Sequence, residues 1–392
     1  MRAFSFIAGL ASAYEVHLLI GGRELLGTSI RIDPLLDDLC RSIQVMPLQR
    51  RRDPELLLLL RWMHRGLPWG DVNLGRYPAD WIPYTLKMKR ATARFLRGRA
   101  IDIVHVFRMA TLPPALQIHR CYPQARIHLD IDDIESETCT RIAELYRQTA
   151  NHRLARVGAR NAAIYAGIEK KILPRFHRLI VCSDHDRRVL MERYPELPPI
   201  NVIPNGIALP QLSTTVEEIR PFTFLFIGAL NYFPNHDAVV YFATRVLPLL
   251  RRLSCRPFRI RIVGAGSMIA LRRAVGFIPE IDLVGYVPDV AHAYTQADAV
   301  IVPIRAGGGT RIKVLEAFAY RKPVVATRIG VEGITAQPDE EYLQAETAEE
   351  FARQCIRLML SPELRRTLAE NGFQVVARRY SIDVVKKLIE EL

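Results

Sequence analysis

The sequence predicts an α/β protein made of two domains, each a parallel sheet with helices on both faces. Short, apolar, β-branched-rich runs alternate with helix-like runs along the whole chain, which is the pattern of parallel sheets with helices on both faces. The alternation starts afresh near Pro221-Phe222, after a polar segment from Gln211 to Arg220. At 392 residues the chain is long enough for two domains, at roughly 100–200 residues each, with a core in each.

The elements follow in order. Met1-Arg2 precedes a largely apolar stretch from Ala3 to Tyr14, with Ala11-Ser12-Ala13 near its end. It reads either as a short signal peptide with an A-x-A site or as a cytosolic helix, since Phe4, Ile7, Ala11 and Tyr14 recur at helical spacing. Strands are expected at 16–20, 101–107, 126–130 and 179–182, then at 201–203, 222–227, 259–263, 281–284, 299–302 and 323–326. Helical stretches lie between most of them, and the two domains join near 205–220.

Composition narrows the class. With 49% hydrophobic and 24% charged residues, the chain is neither disordered nor collagen-like nor a coiled coil. The longest leucine block, Leu56 to Leu60, falls far short of the ~18 residues of a membrane span. The six cysteines form no C-x-x-C, which argues against a zinc site or disulfide framework and suits a reducing cytosol. Residues 1–200 hold 31 Lys+Arg against 21 Asp+Glu, and residues 201–392 hold 23 against 20. The basic surplus of the first half suits nucleic acid, anionic lipid or an anionic substrate. No nucleic-acid-binding signature accompanies it.

The most informative segment runs from Ala299 to Thr327. A buried-looking strand leads into Arg305-Ala306-Gly307-Gly308-Gly309-Thr310, then a helix from Arg311 to Tyr320, then Lys322-Pro323 and a further strand. Glycines let backbone N–H groups approach an anion, and a helix N-terminus adds unpaired donors and partial positive charge. Arg311 and Lys313 add full charges. Lys313 and Glu316 stand at i, i+3 and share a face, which leaves Val314, Leu315 and Phe318 for the core. Such a site suits a diphosphate beside a polyhydroxy group. Taken alone, the glycines fit equally a plain βα loop with solvated basic residues.

This segment resembles the signature of GT-B glycosyltransferases of family 4, the group 1 transferases. Other segments resemble that family in the same order: Val202-Ile203-Pro204-Asn205-Gly206-Ile207, Phe226-Ile227-Gly228-Ala229-Leu230, Ile262-Val263-Gly264-Ala265-Gly266, Val284-Gly285-Tyr286-Val287-Pro288-Asp289 and Gly330-Val331-Glu332-Gly333-Ile334. The likeness is strong over about 180–392. It implies a GT-B fold, two Rossmann-like domains facing across a cleft. Residues 1–205 would form the acceptor-side domain and 206–377 the nucleotide-sugar domain, with the last helix, 378–392, packing back on the first. It implies retaining transfer from a UDP-, GDP- or ADP-sugar to a glycan or lipid-linked acceptor, with no metal or other cofactor. Arg311 and Lys313 would hold the phosphates, with Gly228 and the amides of Gly307, Gly308, Gly309 and Thr310 nearby. Glu316 would take the ribose hydroxyls or, as a surface acid, pair with Lys313. Tyr286 and Val287 would line the base pocket or pack at a strand end.

Some features depart from the family. Its first acidic position, eight before Glu316, is Gly308 here, which leaves the donor sugar without a side-chain carboxylate at that point. The basic pair after the second domain's first strand is replaced by Asn231, Tyr232, Asn235 and His236. Pro234-Asn235 reads as a helix start with Asn as cap, and Asn231 and His236 as phosphate or sugar contacts or as caps. By this resemblance the chain opens inside the helix that follows the family's first strand, so a start about twenty residues upstream is expected, because that strand is central in a doubly wound sheet.

In the first half, His105 is the candidate for the family's catalytic histidine, with Phe107 or Arg108 as alternative positions and a core role as the plain reading. Asp132, Asp133 and Glu135 either orient acceptor hydroxyls or cap a helix. Basic residues flank Leu56 to Leu60 and Trp62, and six more lie between Lys87 and Arg99 with no acid among them. They fit either peripheral attachment to an anionic inner membrane leaflet or a core helix with solvated flanks. The setting expected is cytoplasmic. Rival functions are a dinucleotide oxidoreductase, weakened because Gly264-x-Gly266 lacks a third glycine at Ile269, a nucleotide-sugar epimerase and a non-catalytic sugar-nucleotide binder.

Overall fold

The computed structural model describes residues 2–23, 32–48, 86–211 and 220–392. The Arg50–Trp69 region and most of the polar segment before Pro221, both singled out above, lie outside the described residues. The chain divides into two compact units. The first comprises Met1–Cys139, Arg156–Ile203 and Lys386–Leu392; the second comprises Thr140–Ala155 and Pro204–Val385.

In the first unit, β1 (His17–Arg23) pairs with β2 (Ser42–Leu48). β3 (Ile103–Phe107), β4 (Arg126–Ile131), β5 (Arg178–Val181) and β6 (Ile200–Val202) form a four-stranded sheet in that order. All these pairings are parallel. The apolar stretch near the start is the helix Arg2–Leu10, which buries Arg2, Ser5, Phe6 and Gly9. Ile389 of the helix Ile382–Glu390 fills the space left by Gly9, whose added Cβ would fall 2.6 Å from Ile389 Cγ2. The basic helix Leu86–Leu96 buries Met88, Thr92 and Leu96 at i, i+4, i+8, while Leu86, Arg90 and Arg94 are exposed.

The second unit holds β7 (Phe222–Ile227), β8 (Phe258–Val263), β9 (Ile281–Gly285), β10 (Ala299–Val302), β11 (Val324–Ala326) and β12 (Leu343–Gln344). They form one parallel sheet in the order β12-β11-β10-β7-β8-β9. β10 and β11 are buried throughout, as their unbroken apolar runs require when helices cover both faces. The chain moves outward from β7 to β9, then returns to β7's other side at β10. The order therefore reverses between β7 and β10. In open α/β sheets, ligands bind beyond the carboxyl ends of the strands at such a reversal.

Candidate functional site

Two loops leave the sheet at that reversal: Gly228 to Tyr232 after β7, and Pro303 to Arg311 after β10. The second leads into the helix Ile312–Ala319, with Arg311 at its N-cap. Gly309, at φ +62°, holds a left-handed conformation that side chains disfavour. Val314, Leu315, Ala317, Phe318 and Ala319 are buried, which leaves Lys313 and Glu316 on the helix's other side.

Lys313 is the centre of the arrangement. Its Nζ donates to Asn235 Oδ1 at 2.7 Å and lies 4.4 Å from the centre of the Phe226 ring. Burial, reinforced by Arg311 and opposed by Glu316, lowers its pKa to about 7. Among the described residues it forms no ion pair. Gly228 makes room for the ammonium: an added Cβ there would fall 2.7 Å from Lys313 Nζ. Asn235, expected as a helix cap, has another task. The helix Phe233–Tyr241 has Tyr232 at its N-cap with no side-chain cap bond. Asn235 Nδ2 instead donates to the Ala229 carbonyl at 2.9 Å, which fixes the amide and aims Oδ1 at Lys313.

Arg311 folds onto its own loop, where Nη1 donates to the carbonyls of Gly308 and Gly309, the latter at 3.0 Å. Its guanidinium thus closes the glycine turn. Thr310 Oγ1 is buried without a hydrogen-bond partner among the described residues, a costly state that a ligand oxygen would relieve. Glu316 Oε2 accepts from Tyr294 Oη at 2.8 Å. Tyr294 is fully buried and stacks on Tyr320, with ring centres 4.9 Å apart. Burial raises the Glu316 pKa, while Tyr294 and Lys313 act in the other direction. Tyr286 follows Gly285 at the end of β9 and is 72% exposed, whereas Val287 packs against the core. The structure therefore brings Gly228, Lys313 and Glu316 to one helix face and loop. The two residues proposed for the base pocket, the Tyr286 ring and the Val287 side chain, separate into one exposed and one packing residue.

His105 belongs to the first unit. It stands on β3, stacked on Phe6 with centroids 4.8 Å apart. Burial first, then His128 and Arg2, push its pKa down to about 3, so it stays neutral. These are the surroundings of a core histidine and depart from those of a proton carrier in a site. The adjacent acids are committed too. Asp130 receives two bonds from Arg2 Nε, at 3.0 and 2.9 Å, and one from Nη2 at 2.6 Å. Asp132 pairs with Arg108, and Asp133 accepts from Thr138 Oγ1 at 2.5 Å at the start of the helix Glu135–Gln148. Arg108 carries a positive φ of 65°, an uncommon conformation for a side-chain-bearing residue.

Sequence reasoning missed three contributors. Tyr294 looks like any apolar helix residue until its hydroxyl is seen on Glu316. Arg305, at the head of the glycine loop, is neutralised by Asp237 at 3.0 and 2.7 Å, a pair with no local spacing signal. Arg141 donates to Glu332 and to the Gly307 carbonyl, the latter at 3.2 Å.

Residues 221–361, which hold this site, match the family described as Glycosyl transferases group 1. No curated protein matches the chain. Among solved structures, it is similar to a sucrose-phosphate synthase from Thermosynechococcus elongatus, with 16% identity, a TM-score of 0.71 and coverage of 100% of this chain and 91% of the other. It is similar to HepE from Anabaena, solved with UDP and glucose, at 15% identity and TM-score 0.66, over 100% and 94%. It is also similar to a glycosyltransferase from Rickettsia africae ESF-5, at 15% identity and TM-score 0.63, over 95% and 96%. These likenesses show the GT-B fold. Together with the matched domain, they make glycosyltransferase the enzyme class.

Proposed function

We propose that the chain is a retaining glycosyltransferase of the family 4 type, moving a sugar from a nucleotide diphosphate sugar to a glycan or lipid-linked acceptor. One observation carries the reading. Lys313 holds its amine beside a glycine loop and a helix N-terminus, on a neutral amide and, among the described residues, with no carboxylate paired to it. A cation placed this way is preorganised for a diphosphate, whose charge grows as the sugar leaves. The amides of Gly307 to Thr310 and the Thr310 hydroxyl supply further donors. Glu316, held by Tyr294, accepts from a vicinal diol such as ribose. Tyr286, exposed at the end of β9, offers a ring to the base. UDP is the first nucleotide to test, because HepE was solved with it. In this reading the chain's own cations balance the leaving diphosphate, with no cofactor.

The acceptor side rests on the basic first half. The helix Leu86–Leu96 exposes Leu86, Arg90 and Arg94, a pattern suited to an anionic membrane surface that carries a lipid-linked acceptor, on the cytoplasmic side. Co-sedimentation with vesicles containing anionic lipid at low salt tests this; equal recovery with neutral vesicles overturns it.

The test of the reaction is turnover of UDP-glucose, followed by proton NMR of the anomeric centre. Release of UDP with retained configuration is expected. Tight nucleotide binding with no release of sugar contradicts catalysis, and an inverted anomer contradicts the retaining course.

A further inference from the structure

The C-terminal half of the helix Glu135–Gln148 belongs to the second unit from Thr140 onward, and two of its side chains reach the loops of the candidate site. Arg141 Nη1 donates to the Gly307 carbonyl at 3.2 Å and to Glu332 Oε1, while Nη2 donates to Glu332 Oε2 at 3.3 Å. The Arg141 and Glu332 side chains are 21% and 12% exposed. Five residues further on, Tyr146 stacks on Phe233, with ring centres 3.9 Å apart and planes at 16°. Phe233 opens the helix that carries Asn235, the partner of Lys313. One helix thus holds the glycine loop and the start of the helix that carries Asn235.

We propose that Arg141 is a positioning residue for the donor site: it latches the Gly307–Gly309 turn in its anion-binding form and neutralises Glu332 beside it. The proposal rests on the nucleotide-sugar reading above for its ligand but not for its geometry. The guanidinium is the planar fork that suits a carboxylate and a carbonyl at once. Without it, the Glu332 carboxylate stands in a mostly buried place next to a loop meant for a diphosphate, and two anions compete for one patch of positive potential. The loop also loses its tie to a rigid element.

Two measurements separate the latch from the functional reading. In hydrogen exchange, Arg141→Ala raises exchange in peptides spanning 305–311 while peptides of β7 and β8 stay as in the parent protein. In calorimetric titration, Arg141→Ala weakens UDP binding by about tenfold or more, as expected when a buried charge loses its partner. Arg141→Ala combined with Glu332→Gln recovers most of that loss, because the competing negative charge is gone. A merely structural role for Arg141 lowers stability in denaturant titration but leaves the UDP affinity of the folded variant unchanged. If the parent protein binds no nucleotide but the loop still loosens in Arg141→Ala, the latch stands and the functional reading fails. Unchanged loop exchange in Arg141→Ala, or a double variant no better than Arg141→Ala in a protein that binds UDP, overturns the proposal.

Discussion

Both units gather cations near the carboxyl ends of parallel strands, yet the second holds one with a different kind of partner. In the first unit Arg2 meets Asp130 and Arg108 meets Asp132, as Arg305 meets Asp237 in the second. In the second, Lys313 is held by the neutral amide of Asn235 and rests over the Phe226 ring. A buried ion pair is closed, because each partner satisfies the other and little potential escapes. A buried lysine steered by a neutral acceptor, with its pKa lowered to about 7, has its charge left for an anion to fix. The difference teaches that a functional cation is recognised by the chemistry of its partner, not by burial or by a shifted pKa alone.

Breaking the closed pair has the largest expected effect. Asp130 is fully buried and the Arg2 side chain is 5% exposed. Arg2→Ala leaves the carboxylate without its guanidinium and should lower the unfolding free energy by about 3–5 kcal/mol in denaturant titration. UDP affinity should hold at concentrations where the variant stays folded. A loss under about 1 kcal/mol would mean the pair is no more than a surface bridge.

Lys313→Met attacks the open side. It should weaken UDP binding by about 10–100-fold, the scale of one charge-assisted hydrogen bond, without loss of stability. Stability should hold because the substitution removes a desolvated charge that folding has to tolerate. Glu316→Gln should follow with about a tenfold loss, measured with UDP against the bare diphosphate, since only the nucleoside carries a diol.

The comparison can be sharpened by pH. Lys313 titrates near 7 in the folded chain and at an ordinary 10.5 when unfolded. The unfolded chain therefore binds more protons between those values, so the lysine's penalty to stability is full below about pH 7 and fades as pH rises toward 10.5. A bound diphosphate favours the charged form. Binding at pH 8 should take up a proton, seen as a dependence of calorimetric heat on buffer ionisation enthalpy, and Lys313→Met should abolish it. The smallest expected effect is that of Tyr294→Phe, about 0.5–1.5 kcal/mol in UDP affinity from freeing the Glu316 carboxylate.

Much of the second unit was legible. β7 and β10 are legible from end to end because a strand buried on both faces writes a nearly continuous apolar run, broken only by Thr223 in β7. The glycine loop and the Lys313–Glu316 face were readable because a turn and a helix are local. β2 escaped notice because Ser42–Leu48 mixes polar residues with a proline, and β12 because two residues carry no period. What completes the site is not local at all. Lys313 and Asn235 are 78 residues apart, and Arg141 and Glu332 are 191 apart. Asn235 reads as a cap from its neighbours alone, and only the fold shows its amide turned to Ala229 and Lys313. His105 is ambiguous for the same reason: a histidine within a strand shows its surroundings only when the Phe6 ring is seen stacked on it.

The central claim is that Lys313 is an open cation waiting for a nucleotide diphosphate. Calorimetric titration of UDP, GDP and ADP into the parent protein and Lys313→Met tests it most directly. The account predicts that one nucleotide binds the parent and that the affinity falls by about 10–100-fold in the variant. Equal affinity in the two proteins, or no binding of any of the three to a folded parent, would contradict it.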